Sequence, residues 1–118
     1  GPAACVGDGK ERADFLSEWW DQRYYVYVIQ LDDSVGERDD PRHPPVYVGQ
    51  SVRPPRERFD QHKSGYRASR VVKRHGKWLR WRLFDRYNPL PSRRAAEVAE
   101  RELANRLRAK GYTVYGGH

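Results

Sequence analysis

Cysteine is nearly absent: Cys5 is the single one in 118 residues. That excludes an internal disulfide and a cysteine-type zinc site. Cys5 lies in a Gly-rich leader, where an incidental residue is expected, and a reducing, cytoplasmic compartment is the default reading. No apolar run approaches the length of a membrane span, so no membrane partner is expected. No basic-then-apolar secretory signal is visible either. The leading Gly-Pro reads as a protease scar from a tag and carries no weight for the fold. Repeats and low-complexity tracts are also missing. Hydrophobic residues make up only 37%. The core must therefore be small, with the 13% of aromatic residues filling much of it. This length suits one domain.

Acid is scarce in one part of the chain. Residues 1–40 hold 4 basic and 10 acidic side chains, whereas residues 41–118 hold 19 basic and 6 acidic. Seven Lys or Arg fall between Tyr66 and Arg82 with no acid among them. A solvated face is the plain explanation for a charge run. Its length without a compensating acid favours a polyanion, most commonly nucleic acid.

The patterns suggest an α/β (α+β) chain. "KERADFLSEWWDQ" spaces its apolar residues as a short amphipathic helix within a leader, 1–23. A main domain, 24–118, follows. "RYYVYVIQL" is apolar on both faces, as in a central strand. An acidic loop over 32–45 leads to a returning strand, "VYVGQS". Helices are expected in "RERFDQHKSG" and "SRVVKRHG", each closed by glycine. "KWLRWRLF" alternates like a half-exposed third strand. The last helix is expected from a Ser92 cap to about Lys110, with "YTVYGG" as an extended tail. These elements predict a small antiparallel sheet flanked by helices.

Four places carry chemistry. In the last helix Ala96, Ala99, Leu103 and Leu107 form an apolar stripe with Glu100 at its edge. A carboxylate there needs a partner, either an Arg or a divalent cation. Arg58 and His62 share a helix face, which suits a phosphate and a proton, or simply solvent. Tyr25 and Tyr27 share one face of the first strand, and Tyr47 and Gly49 share one face of the second. Two buried hydroxyls beside Arg58 and Glu100 would make a polar pocket, with Gly49 admitting a substrate backbone. Trp19, Trp20, Trp78 and Trp81 suit packing first and base stacking second.

Taken in order, these residues resemble the GIY-YIG nuclease superfamily, in particular its small bacterial single-domain members. The motifs are "YVY" at 25–27, "YVG" at 47–49 followed by Ser51, Arg58-x-x-x-His62, and Glu100-x-x-Leu103-x-x-x-Leu107. The resemblance implies a three-stranded antiparallel sheet flanked by helices and a DNA endonuclease using Mg²⁺ or Mn²⁺. It implies Tyr27 as general base, Tyr47 orienting water and phosphate, and Arg58 stabilising the charged phosphorus centre. Glu100 would hold the metal, with His62 as an accessory group. Ser51, Lys63, Arg67, Arg70, Lys73, Arg74 and Lys77 are the expected DNA contacts.

Some features depart from the family pattern. Tyr25 stands where the first motif has glycine, and Pro54-Pro55 lengthen the gap before Arg58. The acidic loop is long enough to gate the site. The family's late Asn has only Thr113 or Tyr115 near its place. Single-stranded, duplex and branched DNA all stay open, as does a protein partner supplying specificity. The alternative is a catalytically inactive nucleic-acid-binding module of the same fold.

Overall fold

The computed structural model describes residues 22–38 and 40–117. The leader helix falls almost wholly outside that range, as do Cys5, Trp19 and Trp20.

Strand β1 (Tyr25–Leu31) is the axis of the sheet, and its apolar residues are buried on both faces. It pairs antiparallel with β2 (Val46–Ser51), placing Tyr27 opposite Gly49 and Ile29 opposite Tyr47. Between them lies the acidic loop, whose acids have local work. Asp32 caps a 3-10 turn at Asp33–Val35, Asp33 pairs with Arg38, and Asp40 holds Arg42.

Helix α1 (Pro55–Ser64) follows, then α2 (Arg70–His75) and β3 (Gly76–Leu79). β3 covers only the C-terminal end of β1. Asn88 serves part of the remaining edge, exchanging hydrogen bonds with Val26 N–H and C=O, both at 2.8 Å.

The sheet corrects the expectation of three antiparallel strands. It is mixed and four-stranded, ordered β3-β1-β2-β4. The 17-residue α4 (Arg93–Ala109) carries the chain back along the sheet, so β4 (Val114–Gly116) enters parallel to β2. Parallel pairing needs just such a crossover. The alternation in "KWLRWRLF" was also misleading, because the strand stops at Leu79 and α3 covers Trp81–Phe84. Leu79 and Phe84 are both buried. In one straight strand they would point to opposite faces, and the turn brings both inward.

Helix α4 begins at the Ser92 cap, which accepts from Ala95 N–H. Its buried stripe is the expected one, Ala96, Ala99, Leu103 and Leu107, joined by Glu100 and Ala104. No helix among the described residues is long and apolar enough to cross a membrane.

Candidate active site

A cavity of about 700 Å³ opens at the edge of β2. β4 pairs only with Val46–Val48, so it does not cover Gly49–Ser51. Side chains from both layers meet there. Tyr27 and Tyr47 come from the face shared with Gly49, and Arg58 and His62 from α1. Gln50 points the other way along β2, towards α4, which contributes Glu97, Glu100 and Arg101. Arg67, Ala68 and Ser69 close the rim. Among the described residues, none from the acidic loop lines the cavity.

The five residues expected to act together, Tyr27, Tyr47, Arg58, His62 and Glu100, thus share one cavity. Three rings form its floor. The centroids of Tyr27 and Tyr47 lie 6.4 Å apart, and His62 is 5.9 and 6.0 Å from them.

His62 is only 1% exposed. Its Nδ1 accepts from Ser69 N–H at 2.9 Å, and its Nε2 lies 2.9 Å from Tyr27 Oη. Burial, then the Arg58 charge, lowers its pKa to about 4. The ring is therefore neutral at pH 7, with its one proton on Nε2, because Nδ1 is occupied as an acceptor. His62 donates to Tyr27, and Tyr27 keeps its own proton for another acceptor. Burial, then the neighbouring Tyr47, raises the Tyr27 pKa, and Arg58 opposes that shift.

Arg58 is anchored from the other side. It donates to Gln61 Oε1 (3.1 Å), Tyr66 O (3.3 Å) and Arg67 O (2.7 Å). A guanidinium has five N–H donors, and of the two not used here one is turned towards Tyr27, whose pKa Arg58 lowers. Arg67 itself has φ 45°, and its carbonyl is the one that receives the shortest of these bonds.

Glu100 is 6% exposed, and its Oε1 accepts from Gln50 Nε2 at 3.0 Å. Among the described residues no three His, Cys, Asp or Glu cluster as a ready metal cage. A single carboxylate still fits Mg²⁺ or Mn²⁺, which bind through one or two carboxylates and complete the shell with water and substrate phosphate.

Gly49 has an unexpected packing role. A Cβ there would lie 2.5 Å from Tyr27 Oη and 2.6 Å from Cζ. The missing side chain makes room for Tyr27, and Gly49 also lines the cavity. Cross-strand register decides this, and register is invisible in either strand alone.

The expected DNA contacts divide. Arg67 lines the cavity, while Arg70, Lys73 and Arg74 line a neighbouring one. Lys63, though exposed, donates to Gly76 O (2.9 Å) and Lys73 O (3.0 Å), so it caps the end of α2. Lys77 sits over the Trp78 ring at 5.0 Å. Ser51 accepts from Arg53 N–H at 2.8 Å and closes the turn after β2.

Sequence reading overlooked Gln50, Gln61 and Ser69, which hold Glu100, Arg58 and His62. Gln50 alone left a signal, as a polar residue on the otherwise apolar Val46–Val48 face. No family model, curated protein or solved structure matches the chain.

Proposed function

We propose that the protein is a divalent-metal-dependent endonuclease that hydrolyses DNA phosphodiester bonds by in-line attack of water. It would be a member of the GIY-YIG nuclease superfamily. One observation carries the reading: two tyrosines, an arginine, a histidine and a buried glutamate from four separate stretches line one open cavity. A polar cluster of this kind is costly to bury unless it has work to do.

Each residue has a task. Tyr27, in its ionised form, takes a proton from the attacking water as the new O–P bond forms and the opposite P–O bond breaks. Arg58 lowers the cost of that ionisation, and His62 donates Nε2–H to the phenolate oxygen. The remaining donor of Arg58 suits an equatorial oxygen of the phosphorus centre. Tyr47 orients water and phosphate. Glu100, held by Gln50, is the carboxylate for the ion. When bound, that ion supplies positive charge to the leaving oxygen.

A second reading, a nucleic-acid-binding module without catalysis, also has an observation behind it. Burial moves the Tyr27 pKa further above neutrality in the absence of ligand, which works against a role as base.

The experiment compares labelled single-stranded, duplex and branched DNA with Mg²⁺, Mn²⁺ or EDTA, for wild type and Glu100→Gln. The amide keeps an acceptor for Gln50 but loses the charge. Cuts that need metal and vanish in the variant are the expected result, with binding nearly unchanged. Binding without cuts on every substrate would favour the second reading.

A further inference from the structure

Next to the reaction cavity lies a second one of about 550 Å³, lined by Gly65, Ala68, Arg70, Lys73 and Arg74. Ala68 lines both, so the two are neighbours across one residue. The second cavity has small residues in its lining, three cations and no acid.

The cations of this chain are treated very differently from place to place. Arg38, Arg42 and Arg53 each have an acidic partner, Asp33, Asp40 and Glu57. Arg58 and Lys63 are tied to carbonyl oxygens. By contrast, among the described residues the side chains of Arg70, Lys73 and Arg74 have no such partner. Three like charges gathered round one groove repel one another, and among the described residues no acidic side chain is paired with them. An anionic ligand would relieve that repulsion.

The groove also has a defined shape. Gly65 ends α1 with φ 94°, a backbone conformation that glycine adopts without strain. The Lys73 side chain lies across it: a Cβ at 65 would be 3.0 Å from Nζ and 3.4 Å from Cε. The ammonium therefore rests beside the C-terminus of α1, where the helix dipole favours a cation. Lys73 is held across the groove, and Arg70 and Arg74 flank it from the same helix.

We propose that this groove binds the backbone phosphate next to the one being cut. The inference rests on the nuclease reading and adds a substrate requirement. The DNA must extend at least one phosphate beyond the scissile bond, on the side of Ala68. A minimal phosphodiester would occupy the reaction cavity alone. It also separates the basic block into parts, with Arg70, Lys73 and Arg74 as phosphate ligands and Lys63 as a helix cap.

The test uses the double variant Lys73→Ala/Arg74→Ala, with Arg108→Ala as a control that removes an exposed cation from the last turn of α4. Thermal melts check that all three fold alike. In the first arm, binding of fluorescent single-stranded DNA is followed in EDTA across a range of salt. The double variant should bind about three- to tenfold more weakly at moderate salt, with a log–log salt slope shallower by about 0.7. A slope and affinity matching Arg108→Ala would overturn the proposal. If the double variant melts early, Lys73→Gln and Arg74→Gln are measured singly against the same criterion.

In the second arm, cleavage of DNA is compared with hydrolysis of bis(p-nitrophenyl) phosphate. Loss on DNA with an unchanged rate on the small diester supports the groove; equal loss on both would overturn it. If no variant cuts anything, the nuclease reading fails. The binding arm still decides whether the groove holds a phosphate.

Discussion

Two edges of the sheet are built in opposite ways. At the β2 edge three of the polar groups expected to act are each held by a second group that does not. Ser69 holds His62, Gln50 holds Glu100, and Gln61 with the 66–67 carbonyls holds Arg58. At the β3 edge, Trp78 and Trp81 are 50% and 41% exposed. Lys77 rests over one ring, and Phe84 tilts against the other. The first arrangement fixes atoms in place before a ligand arrives, as chemistry requires. The second can adapt to whatever lies against it. The comparison is therefore open to attack from both sides.

The hardest test is Arg58→Ala. Loss of a preorganised donor to a developing oxyanion lowers turnover by about 10²–10³-fold. Arg58→Lys should recover little, because an ammonium cannot span Gln61 and two carbonyls while still offering donors. Single-turnover cleavage measures both. A near wild-type rate would mean that Arg58 only braces the loop, and the β2 edge would lose its claim to be built for chemistry.

Acid should loosen the same edge. The folded His62 has a pKa near 4, below the unfolded value of about 6.5. The unfolded chain therefore binds the extra proton first, and stability falls as pH drops from about 6.5 to about 4. Above that window the contribution is fully present, and below it the loss levels off. The size is at most on the order of 3 kcal/mol. Urea midpoints at pH 7 and pH 4.5 read it for wild type and His62→Gln, and the variant should have the flatter profile. Equal slopes would mean that His62 protonates in place and is less confined than its contacts suggest. Asp40, held near pKa 2 by Arg42, titrates below this range.

Gly49→Ala attacks the floor of the cavity. The new methyl would meet a ring atom of Tyr27 as well as its hydroxyl, so a simple rotation of the O–H does not relieve it. Overpacking of this kind costs about 1–3 kcal/mol. It should also displace Tyr27 from His62, lowering cleavage more than DNA binding. A fully stable and active variant would mean that Tyr27 does not depend on the missing side chain at Gly49.

Much of this was legible in the sequence, and the failures share a cause. The Ser92 cap follows from residue type, the Ala96–Leu107 stripe and Glu100 beside it follow from helical period, and all three stand in the structure. Local patterns also gave β1, β2 and α1. What the sequence hid depends on partners far along the chain. The fourth strand needs the return of α4, and the fit of Tyr27 needs the register with Gly49. The tautomer of His62 needs the Ser69 backbone. Periodicity carries no information about which segment comes to lie beside which.

The smallest effect is expected at the β3 edge. Trp78→Ala removes a half-exposed ring and its contact with Lys77. Exposed cation–π pairs contribute about 0.5–1 kcal/mol, and surface replacements without a buried partner change little more. The urea midpoint should therefore move by no more than about 1 kcal/mol in equivalent stability. Turnover on a saturating substrate should be unchanged, since Trp78 does not line the cavity. Binding is where the ring can matter. A base stacked on it would contribute about 1–3 kcal/mol with single strands and little with duplex, whose bases are already stacked. The variant is thus measured three ways: stability, turnover, and affinity for single-stranded against duplex DNA. Loss confined to single-strand affinity would make this edge an adaptable platform beside a rigid site. Loss of more than about 2 kcal/mol of stability would show that Trp78 is bound into the fold as firmly as Tyr27, and the contrast between the two edges would fail.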